Sequence, residues 1–395
     1  MRTLIISDLH LGSVSDTDLL RRPELRAPLL DALSRVDRLV LLGDVLELRH
    51  GPPRDAMAAA RPVFEDLGRA LEGRELVITA GNHDHSLVEP WLARRGEIEE
   101  PPPLAVEQIL DPASVSPMVE RIAQWALPAR VSVVYPGLWV RPDVYAMHGH
   151  YLDCHLTVPT LERLSVGAMS RLLARPAEAF SGPDDYEAVS APVFAWRDAV
   201  AREGRTGDAL NGVSMVSAWR ALGGESTAER GARADGRRSG RSAGAMALRR
   251  VRTRALVAGF PLAVATLNRA GLGPLRAEIS SGELRRAGLR AMGEVAARLG
   301  LGDAYVVFGH THRAGPLPGD PVDEWRGRPA AGTAGAGARL VNAGCWVYAP
   351  AFLTRTPGES PYWPGTCVLV EDSGPPVPQR LLLDRTHAEL RPPRA

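Results

Sequence analysis

The sequence predicts an α/β fold, and three observations carry that expectation. Short apolar runs of strand character alternate with helical periodicity through residues 1–150; the alternation resumes near residue 300; and five of the runs end in side chains able to ligate metal ions. Those runs are residues 4–7, 39–42, 76–80, 144–147 and 304–308. They end in Asp8-Leu9-His10, Gly43-Asp44, Gly81-Asn82-His83-Asp84, His148 and Gly309-His310-Thr311-His312. Open α/β sheets bind ligands in the crevice outside the carboxyl ends of their strands, so these side chains are expected to converge. A spacing of two within Asp8-Leu9-His10 and within His310-Thr311-His312 puts both members of each pair on one side of an extended segment.

The first run makes residues 4–7 a core strand. Leu25, Leu29, Leu30 and Leu33 recur near helical spacing, which predicts a helix over 24–36, and the strand at 38–42 completes a βαβ unit. A second helix, 53–71, leads to the third strand and Gly81-Asn82-His83-Asp84. There glycine permits a sharp bend, and the next three residues offer an amide oxygen, an imidazole and a carboxylate: a metal ligand, an acid and its orienter. The same tetrapeptide also suits a turn before a helix, and 85–95 is expected to be that helix. Pro101-Pro102-Pro103 interrupts the pattern. Residues 119–125 read as a helix, 131–134 and 138–140 as two short strands, and 144–147 as the strand that delivers His148.

From 151 to 299 strand-like runs stop. Helical periodicity covers 157–174, 186–203, 213–222, 248–270 and 282–299, and the stretch 223–244, rich in Gly, Ser, Ala and Arg, reads as a disordered loop. This block separates a core made of 1–150 and 300–385, leaving it after His148 and returning before His310. It is read as a helical cap insertion over the site; helices packed to one side are the alternative. Beyond His312 a Gly/Ala/Pro-rich loop spans 314–338, and 339–343, 346–348, 366–371 and 380–383 read as strands of a second sheet, with the last dozen residues a tail.

A formal net charge of +1 over 395 residues makes no case for a polyanionic partner, so no specific nucleic acid binding is expected. All basic residues are Arg. Three irregularly spaced cysteines, Cys154, Cys345 and Cys367, argue against a disulfide framework or a thiolate zinc site and point to a reducing cytoplasm. No signal-peptide pattern opens the chain, and no apolar run reaches the roughly 18 to 20 residues of a membrane span. The longest candidate, 255–267, is broken by Gly259 and Pro261. Leu256, Val257, Phe260, Leu262, Val264 and Leu267 follow Arg249, Arg250, Arg252 and Arg254. That combination reads either as a buried cap helix or as a groove for a lipid tail with peripheral contact at the inner face of a membrane.

Taken in order, the five ligand-bearing blocks resemble the calcineurin-like metallophosphoesterase superfamily, over residues 1–150 and 300–350. The resemblance implies a layered α/β sandwich of two mixed β-sheets flanked by helices. It implies two divalent metal ions, one on Asp8, His10, Asp44 and His312 and the other on Asp44, Asn82, His148 and His310; the nitrogen and oxygen donors suit Mn²⁺, Fe or Zn²⁺. It implies hydrolysis of a phosphoester or phosphoanhydride by a hydroxide held between the metals, with His83 as general acid and Asp84 holding its ring. His150, Asp153 and His155 are candidate substrate contacts. Glu47 is either an outer support or a solvated helix start; His50, His85 and His387 read as surface or locally hydrogen-bonded, and Cys154 and Cys345 as packing.

Ser7-Asp8-Leu9-His10-Leu11-Gly12 and Gly43-Asp44-Val45-Leu46-Glu47-Leu48 look most like the UDP-diacylglucosamine diphosphatase-like branch, which implies a lipid-linked substrate rather than another phosphorylated small molecule. Two alternatives stand beside it: a nucleotide phosphodiesterase, and a metal-binding scaffold that acts through protein contacts.

Overall fold

Alternate residues of nearly every strand face different cores, and that alternation decides the architecture. The computed structural model describes residues 1–202, 264–276, 281–329, 335–356 and 359–392. Its strands are β1 (Thr3–Ile6), β2 (Arg38–Leu42), β3 (Glu75–Thr79), β4 (Glu107–Leu110), β5 (Arg130–Arg141), β6 (Val144–Met147), β7 (Tyr305–Phe308), β8 (Arg339–Asn342), β9 (Thr366–Val370) and β10 (Val377–Arg380). They form one mixed sheet in the order β10-β9-β1-β2-β3-β5-β6-β7-β8, with β4 paired to β5. The strands β1, β2, β3 and the start of β5 run parallel, as do β6, β7 and β8.

Leu4, Ile6, Leu39, Leu41, Leu76 and Ile78 face a core shared with helices α1 (Pro23–Leu33) and α2 (Pro53–Ala70). Their neighbours Ile5, Val40, Leu42 and Val77 point the other way, into a core completed by Leu138, Val140, Ala146, Val307 and Val341 of the second half of the sheet. On that half's outer face Tyr145, Met147, Val306, Phe308 and Leu340 form a third core. The two expected sheets are therefore two layers of one, joined through β5. Its twelve residues pair with β3 and β4 up to Pro136 and with β6 from Gly137 on. The sequence reading had split this strand in two; proline interrupts the apolar run, but it falls where the pairing changes partner.

The remaining helices are α3 (Glu89–Gly96), α4 (Pro112–Val115), α5 (Pro117–Trp125), α6 (Leu161–Leu172), α7 (Pro183–Arg202), α8 (Ser281–Arg298) and α9 (His387–Leu390). The helix expected over 85–95 starts only at Glu89, with Pro90 in its first turn, and a 3-10 turn, His85–Leu87, precedes it. Strand β4 was not anticipated, because Glu107 and Gln108 break any apolar alternation. Residues 346–348 are no strand; Val347 makes a single bridge to Asp18. The last strand ends at Arg380, and Leu382 turns inward to fill a buried position, its carbonyl accepting from Trp363 Nε1 at 2.8 Å. Residues 264–269 are helical. Residues 248–263 of the expected helix 248–270, the helix 213–222 and the loop 223–244 lie outside the described residues. Among the described residues no helix is long and apolar enough to cross a membrane.

Polar anchors fix α7 to the core. Asp184 pairs with Arg95 at 2.9 Å and accepts from the Leu104 N–H at 2.7 Å. Glu187 accepts hydrogen bonds from Tyr135 at 2.6 Å and Tyr151 at 2.5 Å, and meets His85 Nε2 at 3.0 Å. His85, read from sequence as a surface or local group, is thus a buried partner of α7.

Candidate metal centre

Five of the expected ligand residues sit in left-handed backbone: Asp8 (φ 57°), His10 (47°), Asp44 (49°), His310 (63°) and His312 (59°). For residues other than glycine that conformation is uncommon and persists only where the surroundings over-determine it. Here crossing hydrogen bonds do so. The N–H groups of Leu9 and His10 both reach the Asp44 carbonyl at 2.9 Å, and the His310 N–H donates to Asp8 Oδ2 at 2.9 Å. Backbone hydrogen bonds therefore tie the end of β1 to that of β2, and the Asp8 carboxylate ties it to the end of β7.

Asp8, His10 and His312 bring ligand atoms within 4.8 Å of one another, and so do Asp44, His148 and His310. Asp44 Oδ2 lies 3.3 Å from His148 Nε2 and 3.7 Å from His10 Nε2, so one carboxylate stands between both clusters. Asn82 Oδ1 is 3.1 Å from His148 Nε2 and 2.9 Å from His310 Nδ1. In this way the structure brings together all seven expected ligands, Asp8, His10, Asp44, Asn82, His148, His310 and His312.

The donor set fits a pair of divalent cations on two local observations. Asp8 Oδ1 is buried without a hydrogen-bond partner among the described residues, and Asn82 Oδ1 faces only acceptors. Lone pairs that converge without protons are what a cation satisfies. Three of the four imidazoles are also pre-set by their other nitrogen: His10 Nδ1 on Glu47 at 2.9 Å, His148 Nδ1 on the Leu42 carbonyl at 3.0 Å, and His310 Nε2 on Asp153 at 3.0 Å. Such outer partners fix tautomer and ring orientation.

His83 donates its N–H to Asp44 Oδ1 at 2.7 Å, and its ring Nδ1 lies 2.9 and 3.0 Å from the two Glu47 oxygens. Here the sequence reading needs correcting, for Asp84 does not hold that ring. Asp84 is spent on backbone, accepting from Gly81 (2.7 Å), Asp44 (3.2 Å), Val45 (2.7 Å) and Leu46 (3.2 Å). A short carboxylate three residues past a glycine satisfies the turn's own amides first. Glu47 takes the orienting role and serves His10 as well. Burial alone would raise its carboxyl; the nearby His83 charge and hydrogen bonds from His10 and His83 outweigh this and hold it well below the usual range. Burial pushes His83 down to about 4 against the pull of Glu47 and Asp44.

The three candidate substrate contacts part company. Asp153 touches the centre through His310. His155 Nε2 engages Tyr186 Oη at 2.8 Å, and His150 is buried against Tyr151 and Phe194. Arg49, which the sequence reading passed over, is 2 % exposed beside Asn82. Glu47 had a signal, three residues after Asp44; Arg49 had none beyond its closeness to that motif.

Glycine is required where strand ends cross. A Cβ at Gly309 would overlap Ser7 Oγ and Asp8 Oδ2. Gly309→Ala is expected to displace Asp8, cost about 1–3 kcal/mol through overpacking, and lower the metal content of the purified protein. Metal analysis beside a denaturation midpoint checks this, and unchanged metal content would count against it.

Residues 1–186 match the family model described as calcineurin-like phosphoesterase. That match supports a metallophosphoesterase hydrolase. No curated protein matches the chain. The matched segment ends within α7, so His310 and His312 lie beyond it and join the centre by geometry alone.

Proposed function

We propose that the chain is a dimetal hydrolase of phosphoester or phosphoanhydride bonds, with Asp8, His10, Asp44 and His312 holding one cation and Asp44, Asn82, His148 and His310 the other. The observation that carries this reading is the position of Asp44 between two ligand clusters built on strained strand ends. When bound, such a pair supplies positive charge for phosphoryl oxygens and lowers the pKa of water. The protein's own part is positional. Asp44 and the histidines set the spacing, and Glu47 fixes His83 at Nδ1; the proton given to the leaving oxygen from Nε2 is that of the imidazolium, which Glu47 and Asp44 favour against burial.

His83→Ala is expected to lose about 10²–10⁴-fold in rate while keeping its metal. Loss of metal in that variant would move His83 into the coordination shell, a position its closeness to His10 and Asp44 also allows. The reading itself is tested by metal analysis of the purified protein together with a panel of aryl monoesters, diesters and anhydrides. Protein that holds divalent metal and turns over none of them would leave the metal-binding scaffold alternative, and protein that does neither would overturn both.

Within this class we take α6, α7 and α8 as parts of a cap. The first substrate to try is a lipid-linked diphosphate, on the strength of the stretches 7–12 and 43–48, with peripheral contact at the membrane's inner face. Soluble nucleotides are the comparison, and a preference for them, with no binding to anionic vesicles, would make the cap a lid for a water-soluble substrate.

A further inference from the structure

Arg49 and His150 are each 2 % exposed. Four of their nitrogens, Arg49 Nε and Nη2 and His150 Nδ1 and Nε2, have no hydrogen-bond partner among the described residues. The two guanidinium nitrogens are donors and the neutral imidazole carries one N–H; buried donors left unmade are costly, so a native arrangement of this kind calls for an acceptor. Both groups lie against one ring, Phe194 of α7, at 5.2 Å for the guanidinium and 5.4 Å for the imidazole. Both also border the metal centre. The His150 ring is 5.6 Å from that of His148. With Asn82 Oδ1 turned to the ligand cluster, its amide nitrogen faces Arg49 Nη1 at 3.1 Å, donor against donor. The carboxylate of Asp198, one turn along α7 from Phe194, stands 3.6 Å from Arg49 Nε, close enough to attract.

We propose that Arg49 and His150 form an oxyanion subsite beside the metal centre that receives a phosphoryl oxygen of the substrate, and that Asp198 competes with that oxygen for Arg49. The assignment rests on the phosphohydrolase reading above. A phosphoryl group offers acceptors only, and the guanidinium fork matches it with two parallel donors. Asp198 repels the incoming anion while drawing Arg49 away from it, so α7 sets the affinity of the site for phosphoryl oxygen.

The test is calorimetric binding of inorganic phosphate to the full-length, metal-replete protein. Asp198→Asn is expected to tighten phosphate about fivefold. Arg49→Met is expected to weaken it at least about tenfold, and the double variant to match Arg49→Met alone. A residue that merely supported the fold would loosen binding when altered, so weaker or unchanged phosphate binding in Asp198→Asn overturns the proposal. Arg49→Met within twofold of wild type overturns it as well. Should Asp198→Asn fail to fold, Arg49→Lys against Arg49→Gln decides: retained binding in Lys and loss in Gln supports the subsite, and equal binding in both overturns it. Wild-type protein that holds metal and hydrolyses an aryl phosphate, with phosphate affinity alike in all variants, loses the subsite alone. Absence of both metal and hydrolysis overturns the proposed function and the subsite with it.

Discussion

Asp44→Asn is expected to remove at least about a thousandfold of turnover on a generic aryl phosphate, because several kcal/mol of charge stabilisation depend on a shared carboxylate. Asparagine keeps the volume and one oxygen. That oxygen can still accept the His83 N–H, as Asp44 Oδ1 does at 2.7 Å, which leaves the amide nitrogen where Oδ2 stood, facing His148 and His10. Two donors then replace the one acceptor common to both clusters. The fold should survive, since the backbone at residue 44 is held by its own carbonyl and by Asp84. Rate measurements with excess divalent metal check the prediction, alongside circular dichroism. Turnover within tenfold of wild type would show that Asp44 does not bridge.

The largest effect on stability is expected at Glu187. Replacing it with Ala strands Tyr135, Tyr151 and His85 together in a buried space, and unmade polar groups there cost about 1–3 kcal/mol each. A loss of about 3–5 kcal/mol is therefore expected, read from denaturant unfolding. A change under about 1 kcal/mol would mean that the network does not hold α7 to the core.

The same group has a pH signature. Burial would raise the Glu187 carboxyl, but the His85 charge and the hydrogen bonds from His85, Tyr135 and Tyr151 outweigh it and leave the group below its ordinary value. A depressed carboxyl contributes stability that is complete above its unfolded value, about 4.3, and is lost as pH falls through the lower folded one. Glu187→Gln should flatten that part of the acid-side slope.

What could be read in advance follows from how local the cause is. The strands carrying Asp8, Asp44, Asn82 and His310 were legible because buried parallel strands are short apolar runs and their ligands follow at once. The roles of Glu47 and Asp84 were not, because which carboxylate reaches the His83 ring depends on how two strand ends cross. Strand β4 was hidden by its half-exposed polar residues, and β5 by a proline at the point where it changes partner. Glu187 and Arg49 carry no local signal at all; the groups they meet, Tyr135, Tyr151, Asn82 and Asp198, come from distant parts of the chain.

Strand β1 lies between β2 and β9, and Asp8 at its end receives the His310 N–H from 302 positions away. On the ribosome, residues 3–6 are made long before residues 366–370, and one of their two edges stays open until those have been made. Pairing across such a separation is slow, because loop closure must precede any reward from the contact. The nascent chain therefore carries an open and mostly apolar edge until then, which is the situation chaperones that hold unfinished sheets exist to manage.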